Sequence, residues 1–197
     1  VMDAAVCFSG GKDSTLAALL LDPFYDVTLV CASAGVTDSA EHARRAAESV
    51  GFPFQAVELD EQVVHDATEQ IVADGFPRHG IQDLHEHALE VVAGLEYHAV
   101  ADGTRRDDRV PTIPRAFAQS LEDRHGIDYL APLSGFGRRA VDRLVDNHLD
   151  VETGPSEQVS KGDYETEIRA LIADEHGTDV VSECFPEHTQ TRVRGRR

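Results

Sequence analysis

The sequence is poor in paired cysteines, in long apolar runs and in lysine. Cys7, Cys31 and Cys184 are widely separated and form no C-x-x-C pair, which argues against a disulfide framework and against a zinc ribbon. No apolar run reaches the ~18 residues that cross a bilayer, and the first residues lack the basic flank and cleavage site of a signal peptide. We therefore expect a cytoplasmic protein that makes no membrane contact and keeps its thiols reduced.

The scarcity of lysine is part of a strong charge imbalance. The chain has 36 acidic and 18 basic residues, and its net charge is -18. A general nucleic-acid binder would present basic side chains to phosphates, so this balance argues against one. All basic residues except Lys12 and Lys161 are arginines. This composition favours adaptation to molar salt, where the Debye length shrinks to about 3 Å and carboxylates repel one another weakly. An acidic surface that binds a basic partner is the alternative.

Apolar runs alternate with amphipathic segments of helical length over the first 150 residues. The strand-like runs lie near 3–8, 27–32, 54–59, 97–101 and 127–131. The helical stretches lie at about 14–22, 38–50, 61–74, 83–95, 114–125 and 137–148. This order predicts a parallel sheet that is covered by helices on both faces and built around one core.

The character of the chain changes after Leu149. Residues 150–164 are polar and contain glycine and proline, and residues 164–177 resume a helical period. We expect residues 1–150 to form the main domain, and residues 151–197 to form a loop, a helix and a basic tail packed on it. The final TRVRGRR has four arginines and no acid. It is either a frayed tail or an arm that contacts phosphates of a substrate or RNA.

A six-residue loop, SGGKDS, follows directly on the first strand and opens a helix. Backbone N–H groups and the positive end of the helix dipole meet at such a turn, which makes it suitable for holding a phosphate. The two glycines allow close backbone approach, the serines add hydroxyl groups and the lysine adds a positive charge. The spacing fits neither a Walker A loop nor a dinucleotide-binding G-x-G-x-x-G. The loop residues are Ser9, Gly10, Gly11, Lys12, Asp13 and Ser14.

SGGKDS resembles the S-G-G-x-D-S loop of the N-type ATP pyrophosphatases, the PP-loop family of adenine nucleotide alpha hydrolase-like proteins. In that family the loop grips the pyrophosphate that leaves when the α-phosphorus is attacked. DGTRRDDR, residues 102–109, resembles the G-[TH]-x-x-D-D element that follows the family's fourth strand. The resemblance covers residues 1–150 and implies a three-layer α/β/α doubly wound sheet of order 3-2-1-4-5. Strands one and four are neighbours in that order, so both motifs would open onto one crevice.

The resemblance also implies a role for particular residues. ATP would contact the loop residues, Gly103 and Thr104. Ala32 and Ser33 end the second strand, where the family wraps backbone around adenine, although small residues can also simply pack.

The candidates for magnesium binding and catalysis rest on the chemistry of the residues themselves and on composition. The candidate Mg²⁺ ligands are Asp13, Asp107 and Asp108, because this ion prefers carboxylate and phosphate oxygens, although solvated acids are common in this chain. Lys12, Asp13 and Lys161 are the candidate catalytic residues. Lys161 is included because the chain keeps a compact ammonium group at only two positions.

The candidate substrate-binding residues lie in the second motif and near the C-terminus. They are Arg105, Arg106, Arg109, His188, Thr189 and Arg192. The three arginines of the motif could equally form salt bridges with nearby acids. Sulfur carriage by Cys184, in a loop-like setting, is disfavoured because paired cysteines are absent. His85 and His87 lie two positions apart and would point to different faces of a helix, which argues against a metal site.

The short length, ADGTRRDDR and the ending EHTQTRV are similar to small archaeal PP-loop proteins described as tRNA thiouridine methyltransferase subunits or asparagine synthase-like. We therefore expect an enzyme that adenylates a tRNA base or a small amide or carboxylate. It would release pyrophosphate, and a nitrogen or sulfur nucleophile would then displace AMP. A regulatory nucleotide-binding module without turnover is one alternative. A subunit that needs a nucleophile-supplying partner protein is another, and a homodimer stays open.

Overall fold

The computed structural model describes residues 2–156, 158–160 and 162–197, and its centre is a parallel sheet. The strands are β1 (Met2–Cys7), β2 (Tyr25–Ser33), β3 (Phe54–Glu58), β4 (Ala99–Ala101) and β5 (Asp128–Leu130). Their order across the sheet is β3-β2-β1-β4-β5, with every pairing parallel. The predicted α/β class and the order 3-2-1-4-5 are confirmed.

In the described residues, the first seven helices lie close to the predicted stretches, and the eighth was not predicted. They are α1 (Lys12–Leu21), α2 (Ser39–Val50), α3 (Glu61–Asp74), α4 (Arg78–Ala93), α5 (Arg115–His125), α6 (Arg138–His148), α7 (Tyr164–Glu175) and α8 (Thr178–Cys184). Helix α4 begins five residues before the predicted position, directly after Pro77, which is tolerated at a helix start. In the part of the chain that the structure describes, every helix is too short or too polar to cross a membrane.

The sheet is covered on both faces, and this explains its apolar strands. Ala4, Ala5 and Val6 of β1 have no exposed surface. One face packs against α1, α2 and α6, and the other against α4 and α5. Strands that are buried on both sides carry continuous apolar runs instead of alternating ones, and that pattern made them recognisable in the sequence.

A third apolar cluster lies beside the carboxyl edge of the sheet. It joins α3, part of α4, α7 and α8, and it includes Ile71, Leu84 and Ile168 among its buried residues. Cys184, which the sequence placed in a loop-like setting, ends α8 and is 1% exposed in this cluster. The cluster forms one wall of the crevice that is described below.

A two-stranded antiparallel sheet, which we call the C-terminal sheet, replaces the predicted loop and tail, and its strands are connected through α7 and α8. Strand β6 (Leu149–Pro155) pairs with β7 (Thr189–Arg196), so the loop prediction is wrong for β6 and fraying is wrong for β7. The guanidinium of Arg196 lies 4.4 Å from the centre of the Phe52 ring, and Arg194 lies 2.6 Å from Glu152. Arg196 therefore holds the C-terminal sheet on the body of the protein, whereas the Arg194–Glu152 pair joins its two strands.

Candidate functional site

Two neighbouring cavities lie where the strands end at their carboxyl side. The larger, which we call the strand-end cavity, has a volume of about 360 Å³ and includes Cys7, Ser9, Ala32, His85 and Tyr164 in its lining. The second, the loop-side cavity, has a volume of about 300 Å³ and is more polar. It is lined by Lys12, Asp13, Arg105, Arg138, Asp142, Glu165, His188, Thr189, Gln190 and Thr191. Asp13 and Glu165 border both, so the start of α1 lies between the two cavities.

The SGGKDS loop joins β1 to α1 and is held from two sides. Gly10 has a φ of +81°, a conformation that favours glycine, and Gly11 is the N-cap of α1. The carbonyl of Ser9 accepts a hydrogen bond from the Gly162 amide at 2.7 Å, and the carbonyl of Gly10 accepts one from the Val193 amide at 2.9 Å. The loop is therefore braced by β7 and by the segment that leads into α7.

The side chains of the loop make local contacts. The Nζ atom of Lys12 lies 2.6 Å from Oδ1 of Asp13, and the Lys12 amide donates to Oγ1 of Thr191 at 3.3 Å. Ser14 donates its hydroxyl to the Gly11 carbonyl at 3.3 Å. Lys12 faces the loop-side cavity and Ser14 the strand-end cavity, so the first turn of α1 serves both.

The second motif lies directly against the first. A Cβ atom built on Gly103 would lie 2.6 Å from the amide nitrogen of Ser14 and 2.8 Å from the carbonyl carbon of Asp13. A residue with a side chain would therefore push the two segments apart. Thr104 turns inward and donates both its amide (3.0 Å) and its hydroxyl (2.6 Å) to Oδ1 of Asp102.

Arg105 lies among the three predicted magnesium ligands. Its guanidinium is 2.9 Å from Asp108, and its Nε atom is 3.9 Å from both Asp13 and Asp107. Within the described ranges, the three carboxylates do not converge to the 4.8 Å spacing of a ready metal cluster. Asp13 and Asp108 line the strand-end cavity, whereas Asp107 is exposed and lines neither cavity.

The end of β2 offers backbone groups, not hydroxyl groups, to the strand-end cavity. The Val30 carbonyl accepts from Phe8 on the β1 side, and the Ser33 carbonyl accepts from Leu59 on the β3 side. Because backbone groups alternate between the two sides of a strand, the N–H and C=O of Ala32 point toward the β1 side, beyond the last residue of β1. The Ser33 hydroxyl faces away and donates to Glu167 at 2.8 Å.

Glu167 fixes the turn that follows β2. This carboxylate on α7 has no exposed surface, and it accepts from the Ala34 amide at 2.8 Å and from the Val36 amide at 3.2 Å, as well as from Ser33. The C-terminal segment thus shapes the place where the sequence predicts adenine binding.

A buried polar network around His85 lies in the wall of the strand-end cavity, and the sequence analysis did not identify it. His85 Nε2 is 2.7 Å from Asp102 Oδ2, its Nδ1 atom contacts the Tyr164 hydroxyl, and the Tyr129 hydroxyl donates to Asp102 at 3.1 Å. The available signal was a titratable side chain on the apolar face of α4, four residues after Ile81.

Burial controls the protonation of several groups around this cavity. Desolvation works to raise the pKa of Asp102, but hydrogen bonds from His85 and Thr104 and attraction to His85 outweigh it, so this pKa lies below its ordinary value. Desolvation raises the pKa of Tyr129 and Tyr164, which therefore stay protonated. It also raises the pKa of Cys7, and that of Cys31 to about 12, so both are neutral thiols.

The remaining predicted residues fall into separate places. His188 and Thr189 line the loop-side cavity with Lys12 and Arg105. Arg192 pairs with Glu152 at 2.9 Å and lines neither cavity. Arg106 and Arg109 are exposed and also lie outside the lining of both cavities. Lys161 lies outside the described residues. Arg138, at the start of α6, is an addition that the sequence analysis missed.

The fold and this crevice define a doubly wound α/β protein with its candidate site at the carboxyl edge of the sheet. The chain belongs to a family of unknown function, DUF7411, whose family model matches residues 2–195. It is 40% identical over 196 residues to the uncharacterized protein MJ0690 of Methanocaldococcus jannaschii, covering 99% of this chain and 96% of that protein.

Two solved structures are similar to the chain. The crystal structure of a predicted subunit of tRNA methyltransferase from Methanocaldococcus jannaschii has a TM-score of 0.90 at 38% identity, over 100% of this chain and 98% of that one. The U34-tRNA thiolase NcsA from Methanococcus maripaludis, with its 4Fe-4S cluster, has a TM-score of 0.47 at 15% identity, over 92% and 70% of the two chains. The first likeness extends over the whole fold, including the C-terminal sheet and α7.

Proposed function

We propose that this protein is a PP-loop ATP pyrophosphatase that adenylates an acceptor and releases pyrophosphate. The observation that carries the proposal is the contact between the two motifs, with Gly103 packed against the amide of Ser14 in the first turn of α1. Two sequence elements that resemble the same family thus adjoin one crevice. Ligands of doubly wound sheets bind at this edge, where the strand order reverses.

The shape and chemistry of the crevice suit ATP. The base would enter the strand-end cavity and meet the backbone N–H and C=O of Ala32, a donor beside an acceptor. The β- and γ-phosphates would lie at the first turn of α1, where the amides and Lys12 supply positive charge. The two cavities adjoin at Asp13, so one nucleotide can extend across both.

The residues present also fit Mg²⁺. Asp13 and Asp108, which line the cavity beside the loop and now pair with Arg105, would hold the ion together with phosphate oxygens. Arg105 would then be released to pair with the phosphates. When bound, Mg²⁺ neutralises part of the charge that builds up on the departing pyrophosphate.

The chain itself then contributes binding and charge. An acceptor oxygen attacks the α-phosphorus, and the bond from that phosphorus to the pyrophosphate oxygen breaks. The loop amides and Lys12 stabilise the negative charge on the departing pyrophosphate. A nitrogen or sulfur nucleophile next displaces AMP from the acceptor. The proposed reaction needs no covalent nucleophile from the protein, in keeping with the neutral thiols of the half-buried Cys7 and the buried Cys31.

We propose tRNA as the acceptor. The support is the description of the M. jannaschii structure as a predicted subunit of tRNA methyltransferase. The same description favours a second candidate, in which the chain hydrolyses ATP only together with a partner protein.

The test is to incubate the protein in concentrated KCl with α-labelled ATP and Mg²⁺, with and without tRNA from the host organism. AMP and pyrophosphate are expected, and their formation should depend on tRNA. ADP and phosphate would contradict the proposal. Bound but intact ATP would contradict turnover by the protein alone; turnover that appears on adding host extract would then support a partner-dependent subunit, and continued absence of turnover a regulatory module. Lys12→Ala should lower pyrophosphate release by about 10²–10³-fold, because one charged stabiliser of the leaving group is lost.

A further inference from the structure

We infer that Thr191, a residue of β7 outside both motifs, is a phosphate ligand of the nucleotide site. The inference rests on the proposed function. It places one binding group on the C-terminal sheet, which the sequence suggested was a loop and a tail. Its hydroxyl would donate a hydrogen bond to an oxygen of the pyrophosphate group that is held at the start of α1.

The position of Thr191 is fixed on both of its sides. Two residues further along β7, the Val193 amide donates to the Gly10 carbonyl at 2.9 Å, and Thr191 lies opposite Thr153 in the C-terminal sheet. Its own carbonyl lies 3.7 Å from a Cβ atom built on Gly11, so the strand passes directly beside the loop. Thr191 also lines the loop-side cavity together with Lys12 and Arg105.

The hydroxyl of Thr191 has the hydrogen-bonding capacity that a phosphate needs. Its oxygen accepts from the Lys12 amide at 3.3 Å, a long separation for such a bond, so the bond is easily exchanged for another. A hydroxyl can accept and donate at once, and its hydrogen can turn toward the cavity. When a phosphate enters, it can take both the amide of Lys12 and the hydroxyl of Thr191.

This role predicts the opposite effect from a simple helix cap. If Thr191 served only to cap the Lys12 amide, its loss would free that amide, and phosphate would bind as well as before or better. If the hydroxyl donates to phosphate, its loss removes a hydrogen bond to a charged group, which weakens binding by about tenfold or more.

The experiment is isothermal titration of the full-length protein in concentrated KCl with inorganic pyrophosphate, and in parallel with ATP and Mg²⁺. Thr191→Val removes the hydroxyl and keeps the branched shape, whereas Thr191→Ser keeps the hydroxyl. Thr153→Val is the matched control, because Thr153 is the exposed partner of Thr191 in the C-terminal sheet. Circular dichroism confirms that each variant is folded.

We expect Thr191→Val to bind both probes at least tenfold more weakly, and Thr191→Ser and Thr153→Val to bind them like the unaltered protein. Unchanged or tighter binding by Thr191→Val overturns the inference and leaves the proposed function in place. Equal weakening in Thr191→Ser also overturns it, because shape and not the hydroxyl would then be responsible. If the unaltered protein binds neither probe, both the inference and the proposed function are wrong.

Discussion

The backbone of Gly103 lies so close to Ser14 that a Cβ atom on Gly103 would come within 2.6 Å of the Ser14 amide nitrogen. Gly103→Ala must therefore displace either the end of β4 or the first turn of α1, which are the two sides of the proposed site. We expect this variant to lose most ATP-dependent pyrophosphate release, measured with α-labelled ATP.

Gly135→Ala is the matched control for this substitution, because a Cβ atom at Gly135 meets nothing within 4 Å. It should release pyrophosphate at the rate of the unaltered protein. Equal rates in both variants would show that the contact between the motifs is irrelevant to the reaction.

A second prediction concerns the buried carboxylate of Asp102. It accepts hydrogen bonds from His85, Thr104 and Tyr129 and is 1% exposed, so Asp102→Asn leaves buried donors without a charged acceptor. We expect a loss of about 3–5 kcal/mol in the free energy of unfolding, measured with denaturant. Asp128→Asn, at the exposed start of β5, should change it by less than about 0.5 kcal/mol.

The same carboxylate predicts a pH dependence of stability. The pKa of Asp102 is lowered by folding, so its contribution is complete above the unfolded value of about 3.9 and is lost as the pH falls below it. The unaltered protein should therefore lose more stability in this acid range than Asp102→Asn does. If the free energy of unfolding of the two proteins changes equally with pH over this range, the assignment is wrong.

A third prediction concerns the C-terminal strand. Deleting residues 192–197 removes the Val193 amide that holds the Gly10 carbonyl and the Arg196 contact with Phe52. We expect both thermal stability and ATP binding to fall, as measured by melting curves and by titration. Arg194→Gln removes only a surface ion pair with Glu152 and should cost about 1 kcal/mol or less. A truncated protein that binds ATP normally would exclude a role for residues 192–197 in the site.

A fourth prediction follows from the charge. A net charge of -18 on 197 residues causes strong self-repulsion in dilute buffer. We expect far-ultraviolet circular dichroism to show loss of structure at low salt and recovery in concentrated KCl. Equal ellipticity in both solutions would mean that the acids serve a different purpose, such as binding a basic partner.

The parallel sheet could be predicted from the sequence because its central strands are apolar on both faces and the intervening helices are amphipathic, whereas the strand order 3-2-1-4-5 came from the family resemblance of the two motifs. The loop could be predicted because SGGKDS combines glycines, a lysine and a following helix in one short stretch. These signals are local, and each one depends on residues that are neighbours along the chain.

The rest of the site depends on contacts between distant residues. Strand β7 has only one apolar residue, Val193, so its sequence looks like a charged tail although its pairing with β6 orders it. The spacing of His85 argued against a metal site, but nothing in its neighbourhood indicated that Asp102 and Tyr164 would meet it. Glu167 looked like one acid among 36, and only its burial reveals that it shapes the end of β2.

The hydrogen bond from the Lys12 amide to Thr191 joins residues that are 179 positions apart. Bringing together residues so far apart in the chain costs conformational entropy, which the contacts of the C-terminal sheet with the body of the protein must offset. The SGGKDS loop therefore keeps this contact only while the C-terminal sheet is docked on the body of the protein. Hydrogen exchange at the backbone amides of β7 would consequently slow when a nucleotide occupies the loop, since binding stabilises the docked state.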